Sequence, residues 1–291
     1  MKKPKRYKLN CQGLARRDSG LMTKIIAAPG RTIISIDLSA GEPSVTANFS
    51  GDKNYRWATL DGVGQAPFYR DGVLTIDDIY LMTASASSMY KQALLDAFNR
   101  DWDGKTFVEQ WLADSEVIKG YLKKLRQVAK ILCLGLGYGM QPRKMVKQMY
   151  EQGVSITFQE ASDFFNTYWG LFADVRKFSM KLQNQVKHDG FIINPFGYRM
   201  VCEPRLAFNY FIQSSVSGIM HVFLAKLVAA APYSTFYTVI HDELLMEVDD
   251  HMLDQFRIDT RLATDSLNED LNWSVKIRTG FVAGKDLYNA K

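Results

Sequence analysis

The chain has 291 residues, enough for about two domains of ordinary size. Lys and Arg total 36 against 31 Asp and Glu, a formal charge of +5, with 47% apolar and 23% charged residues; this balance belongs to a packed globule and argues against a disordered chain, a fibrous repeat or a small stapled scaffold. Three scattered cysteines (Cys11, Cys133, Cys202) give no disulfide framework and suit a reducing compartment, and four histidines without paired Cys/His spacing argue against a structural zinc site.

Taken in chain order, the first segment is basic. Between Met1 and Arg17 lie Lys2, Lys3, Lys5, Arg6, Lys8, Arg16 and Arg17 with no acid. No apolar stretch follows, so a signal peptide is excluded. Arg31–Leu38 is a β-branched run that reads as a buried strand with Asp37 at its tip. Residues 52–72 scatter Gly, Pro and Asp and read as a loop. Ile76–Phe98 reads as a helix opened by the acids Asp77 and Asp78. Phe107–Gly135 continues as helix, with Gly135, Gly137 and Gly139 marking its end or a distortion, and carries part of a second basic run between Lys119 and Lys147. Such runs point to a solvated surface or to a polyanion, nucleic acid first. Phe158–His188 is a further long helical stretch. Phe191–Cys202 places Asn194, Pro195 and Gly197 between apolar arms, a hairpin. Arg205–Ala230 is helical. The apolar stretch Met220–Ile240 is interrupted by His221, Lys226 and Pro232, so it reads as buried helix and strand and not as a membrane span. Thr235–Val248 reads as two short strands joined at His241-Asp242-Glu243. Strands and helices without strict alternation indicate an α+β fold.

Four groups of residues stand out chemically. The hairpin turn His241-Asp242-Glu243 places two acids where Gly or Asn is usual, and adjacent acids favour a nearby cation. Asp37 adds a carboxylate at another strand end. Two such acids on neighbouring strands are what a pair of divalent ions needs to clamp a transferred phosphoryl group, and magnesium takes few protein carboxylates beside phosphate oxygens. Arg126, Lys130, Leu134 and Tyr138 share a four-residue spacing and one helical stripe. The two cations can grip a triphosphate, and the tyrosine offers a flat face to a base; an amphipathic helix with a wet basic face is the plainer alternative. The glycines that follow lack a preceding strand, so a dinucleotide fingerprint is rejected. Arg205, Asn209 and Gln213 form a polar line among apolar neighbours, suited to duplex minor-groove acceptors or to an internal hydrogen-bond network.

In this order and spacing the groups resemble the polymerase region of the DNA polymerase I family, family A. Asp37-Leu38-Ser39-Ala40-Gly41-Glu42 resembles motif A, usually Asp-Tyr-Ser-Gln-Ile-Glu. Arg126, Lys130, Leu134 and Tyr138-Gly139 resemble motif B on the O helix of the fingers, and His241-Asp242-Glu243-Leu244 resembles motif C. Arg205, Asn209 and Gln213 match the helix along the primer–template minor groove, and Leu9-Asn10-Cys11-Gln12 with Arg16-Arg17-Asp18 resembles the segment before motif A.

The resemblance implies an antiparallel palm sheet with helices over residues 1–52 and 189–291, and mostly helical fingers over residues 53–188. It implies a template-directed DNA polymerase with two magnesium ions on Asp37, Asp242 and the Leu38 carbonyl, and Glu243 in an auxiliary role. Arg126 and Lys130 would hold the deoxynucleoside triphosphate, with Lys130 able to protonate pyrophosphate. Glu42 would be the steric gate against a ribose 2′-hydroxyl, and Leu134, Tyr138 and Leu38 would border the nucleotide. Arg205, Asn209, Gln213, His241, Gln12 and Arg16 would contact primer–template DNA. Leu134 stands in place of a usual Phe or Tyr, Leu38 in place of Tyr, and Pro43-Ser44 in place of an apolar residue and Arg. No part of the sequence resembles the family's thumb or exonuclease, so the implied activity lacks proofreading and a second polypeptide is expected to supply the thumb or a processivity function. No membrane partner is expected, and the expected location is cytoplasmic, the host's if the source is viral. Two other classes remain: a non-catalytic nucleic-acid-binding subunit that kept the fold, and a single-subunit RNA polymerase, against which Glu42 argues.

Overall fold

A computed structural model describes residues 22–290. Gln12, Arg16 and the basic run before them lie outside the described residues. The described chain divides into two compact units: residues 22–41, 216–273 and 277–290 form one, and residues 42–215 with 274–276 form the other. These boundaries lie at 41/42 and 215/216, whereas the expected palm and fingers divide at 52/53 and 188/189.

The first unit is built on a four-stranded antiparallel sheet of order β6-β7-β1-β8. Its strands are β1 (Arg31–Ser39), β6 (Thr235–Ile240), β7 (Glu243–Asp249) and β8 (Arg278–Gly284). β1 runs down the middle because its apolar run can be buried on both faces: Ile33, Ile34 and Ile36 are each at most 1% exposed. Ile33 joins Met22, Leu245, Leu287 and Ala290 in a cluster. On the opposite face Phe281 lies opposite Ile36 and meets Phe256 of the helix Leu253–Leu271 at 6.2 Å between ring centroids. Each such buried side chain contributes about 1.5–3 kcal/mol, so register is set strongly: a one-residue slip would send Asp37 into the core.

The second unit is mainly helical. In chain order it carries α1 (Gly41–Ser50), the hairpin β2–β3 (Phe68–Arg70, Val73–Thr75), α2 (Ile79–Ala86), α3 (Lys91–Asn99), α4 (Phe107–Tyr121), α5 (Lys123–Gly137), α6 (Pro142–Glu151), α7 (Phe158–Leu171), α8 (Ala173–Asp189) and the hairpin β4–β5 (Ile192–Ile193, Arg199–Met200). Helix α9 (Ala207–Ala230) contributes to both units. Helices α4 and α7 start on capping boxes: Thr106 and Thr157 accept from the backbone N–H of Glu109 and Glu160, whose carboxylates accept in return.

Several expected elements are subdivided. The helix expected over 76–98 breaks after Ala86, where the Asp163 carboxylate accepts from Ser88 N–H (3.0 Å) and Ser88 Oγ (2.7 Å) and draws the chain out of the helix. The stretch 107–135 parts at Leu122, and 158–188 parts at Phe172, whose fully buried ring meets Tyr55 and Tyr168. The loop expected over 52–72 instead holds the helical turn Lys53–Arg56, a π-helical turn Trp57–Asp61 and strand β2. Asp52 organises it: one carboxylate oxygen accepts from Tyr55 N–H and the other from Asp174 N–H at the start of α8. Among the described residues one helical stretch, Pro204–Ala230, is long and apolar enough to cross a membrane, and half of its most apolar window is buried inside the protein.

Candidate active site

In the sheet unit, Asp37 lies near the end of β1 and faces Glu243, the first residue of β7. The β6–β7 connection is shorter than expected: Ile240 pairs with Glu243, so the turn is His241-Asp242 alone. Its geometry requires a positive φ, and His241 supplies it at 59°. Asp242 is thereby exposed at the turn, as is Asp37. The Leu38 N–H donates to the Asp242 carbonyl at 2.9 Å and ties the two strand ends together. In an extended strand a residue's N–H and C=O point to the same side, so the Leu38 carbonyl faces the same edge. Glu243 is turned aside, accepting from Ser35 Oγ at 2.5 Å.

Two exposed aspartates and one main-chain carbonyl at a joined strand edge form an all-oxygen donor set that fits magnesium. Among the described residues no cluster of three or more His, Cys, Asp or Glu side chains could hold a metal, so the carboxylates fit an ion whose remaining ligands come from phosphate or water. The side chain of Leu38 is buried in the sheet at 2% exposure, which leaves only its backbone to act.

In the helical unit, α5 carries the basic stripe as expected, with Arg126, Lys130 and Leu134 a turn apart and Tyr138 at the C-cap. Arg126 is held from below: its Nε donates to Asp78 Oδ2 at 2.6 Å, and its guanidinium lies 5.2 Å from the Tyr80 ring centroid. Asp78 is itself buried and caps α2 through its other oxygen, accepting from Tyr80 and Leu81 N–H at 3.0 Å. The sequence showed Asp78 only as an acid at a helix start; its second task depends on α2 packing against α5. Lys130 is half-buried and has no ion-pair partner among the described residues.

Asp78→Ala should remove the cap and the partner of Arg126 together. The expected loss is about 2–4 kcal/mol, read as a lower urea midpoint. Asp78→Asn should lose about half as much, because one amide oxygen must choose between the two tasks.

Beside the stripe is a small open pocket lined by Glu42, Tyr55, Tyr80, Leu134, Tyr138 and Asn209, among others. Glu42 lies in the first turn of α1, and Pro43 beside it is accommodated there. The Tyr138 hydroxyl stands 3.5 Å from Glu42 Oε1 and 3.4 Å from Gln213 Nε2, linking the first turn of α1, the C-cap of α5 and the polar line. Burial, followed by the Glu42 carboxylate, raises the Tyr138 hydroxyl above its ordinary range, so it remains a donor at neutral pH. Deeper in, burial raises Tyr55, Tyr80 and Tyr168 and pushes the Cys133 thiol up to about 12.

The polar line, for which the sequence leaves an external or an internal partner open, lies mostly at the surface. Arg205 lies before α9 in the 3₁₀ turn Pro204–Leu206, exposed and paired with Glu203 at 2.6 Å. Gln213 is exposed and only Asn209 is half-buried, so the line faces outward and places no demand for internal partners. His241 is exposed in the sheet unit. The sequence named Asp78 only as a helix-opening acid and did not single out Tyr80, Ser35 or Gly280; the bracing of Arg126 and the Ser35–Glu243 contact join residues distant in sequence.

The model of DNA polymerase family A matches residues 79–289. The chain is 24% identical over 279 residues to the DNA polymerase of Escherichia phage T5, covering 86% of this chain and 29% of that protein. It is 29% identical over 238 residues to the DNA polymerase of Mycobacterium phage D29, covering 80% and 32%. The chain therefore spans about a third of the length of these relatives. Among solved structures, the polymerase domain of Pol1 from M. smegmatis, in complex with DNA primer-template and dNTP, superposes with a TM-score of 0.70 at 19% identity, covering 97% of this chain and 45% of that one. The α+β fold is thus that of a polymerase domain, and with the family model matched over most of its length the chain belongs to DNA polymerase family A.

Proposed function

We propose that this chain catalyses template-directed transfer of deoxynucleotidyl groups to a primer 3′-hydroxyl, releasing pyrophosphate, without proofreading. The observation that carries the reading is the pair of exposed aspartates, Asp37 and Asp242, on strand ends tied by the Leu38–Asp242 hydrogen bond. Two magnesium ions held by these carboxylates and the Leu38 carbonyl would supply the positive charge that the transferred phosphoryl group needs. Arg126, braced by Asp78, presents its outer nitrogens to a triphosphate. Lys130 adds a second charge, and its Nζ is the candidate proton donor to the leaving pyrophosphate. Glu42 and Tyr138 close the side of the pocket where a ribose 2′-hydroxyl would enter. Arg205, Asn209, Gln213 and His241, with Gln12 and Arg16, are the proposed DNA contacts. In this reading residues 1–52 and 189–291 act as palm and 53–188 as fingers.

Primer extension with purified chain, magnesium and four deoxynucleotides tests the proposal. Template-dependent extension is the expected result; duplex binding without extension would favour the rival reading of a non-catalytic subunit.

The expected second polypeptide belongs to the same proposal and makes a separate prediction. Each neutralised phosphate contributes a slope of about −0.9 to the dependence of log affinity on log salt. If a partner supplies duplex contacts behind the site, this chain alone should give short products at physiological salt, and adding the partner should lengthen them and steepen the slope. Long products from the chain alone would remove the need for a partner.

A further inference from the structure

Gly280 lies on β8 directly opposite Asp37, across β1 from Glu243. Its backbone is ordinary extended strand, so no positive φ calls for glycine there. Space does: a Cβ built on Gly280 would fall on Asp37 Oδ1 and lie 3.0 Å from Asp37 Cγ. The Asp37 carboxylate therefore rests over the bare backbone of its β8 neighbour. On its other side is an acid, Glu243, and like charges directly opposed on antiparallel strands repel. The sheet separates the two by drawing each away from the other. Ser35 Oγ holds Glu243 at 2.5 Å, two residues back along β1, and the vacancy at Gly280 receives Asp37.

We propose that Gly280 is a positioning residue for Asp37: its missing side chain is the space that sets the Asp37 carboxylate apart from Glu243 and in place for metal binding. The proposal rests on the reading of Asp37 as a metal ligand. Any larger residue at 280 would turn the Asp37 side chain back toward Glu243 or force an off-rotamer conformation.

The test is a double-mutant cycle read by thermal unfolding in the absence of metal, joined to a magnesium titration. Gly280→Ala in the wild-type chain should lower the unfolding midpoint by about 3–6 °C. In an Asp37→Ala background the same change should be neutral or slightly stabilising, since glycine in a strand is itself unfavourable. With Asp37 intact, Gly280→Ala should raise the magnesium concentration for half-maximal primer extension about tenfold and leave primer–template affinity unchanged. An equal loss of stability in both backgrounds would overturn the proposal, because the crowding would not involve Asp37. Coupling in stability with an unchanged magnesium requirement would overturn the positioning role. Undiminished extension by Asp37→Ala alone would instead defeat the metal-ligand reading, and the stability cycle separates that failure from the others.

Discussion

Asp37→Ala and Asp242→Ala are each expected to abolish primer extension, by about 10³-fold or more, while duplex binding changes little. The magnitude follows from what a carboxylate at that edge does. Transfer of a phosphoryl group concentrates negative charge; if these carboxylates hold the compensating cation, as proposed, losing one removes several kcal/mol of stabilisation, at 1.36 kcal/mol per tenfold in rate. Both aspartates are exposed, so neither substitution opens a core cavity; stability should hold and the deficit should appear in kcat. Glu243→Ala should be milder, because that carboxylate is committed to Ser35. Single-turnover extension of a matched primer–template, with binding measured separately, checks all three. Substantial extension by either aspartate variant in magnesium would remove the two-metal assignment.

Glu42→Ala should raise the relative kcat/KM for ribonucleotides over deoxynucleotides by about 100-fold. Two effects compete at this position. If Glu42 is the proposed gate, removing its carboxylate opens room beside the sugar and relaxes exclusion; it also releases the Tyr138 hydroxyl from its 3.5 Å neighbour, which should lower use of every nucleotide. The first should dominate the ratio, since discrimination depends on differential binding and a loss common to both substrates cancels. Tyr138→Phe isolates the second effect and should lower both rates with little change in the ratio. Leu134 beside them provides no aromatic ring to take over the exclusion. An unchanged ratio in Glu42→Ala would show that another group reads the sugar.

What the sequence revealed divides by range. The middle strand was legible because a β-branched run buried on both faces looks the same from any neighbour's side. The stripe Arg126–Lys130–Leu134 was legible because one helix carries all of it. Helix starts at Phe107 and Phe158 were legible locally, and their Thr-x-x-Glu signatures account for them. What was hidden depends on partners far away in the chain. The break after Ala86 requires Asp163, the bracing of Arg126 requires Asp78 from 48 positions earlier, and the meaning of Gly280 requires a strand that begins at Arg31. The two-residue turn was misjudged by one position because its left-handed residue is a histidine, not the usual Gly or Asn. Arg205 read as a helix residue because its spacing fits; Pro204 instead opens a separate tight turn.

The pairing of β1 with β7 also has a consequence in time. Ser35 and Glu243, joined across that pair, are 208 positions apart in the chain. At a synthesis rate of about 5–20 residues per second, β1 waits roughly 10–40 s for its partner. In that interval the helical unit between them, rich in local contacts, emerges and can fold in microseconds to milliseconds. β1 meanwhile presents Ile33, Ile34 and Ile36 on an unpaired strand, the kind of exposed edge that recruits other chains. The residues that would bind metal are thus completed late in biosynthesis, and the yield of active protein should depend on how crowded the newly made chains are during that wait.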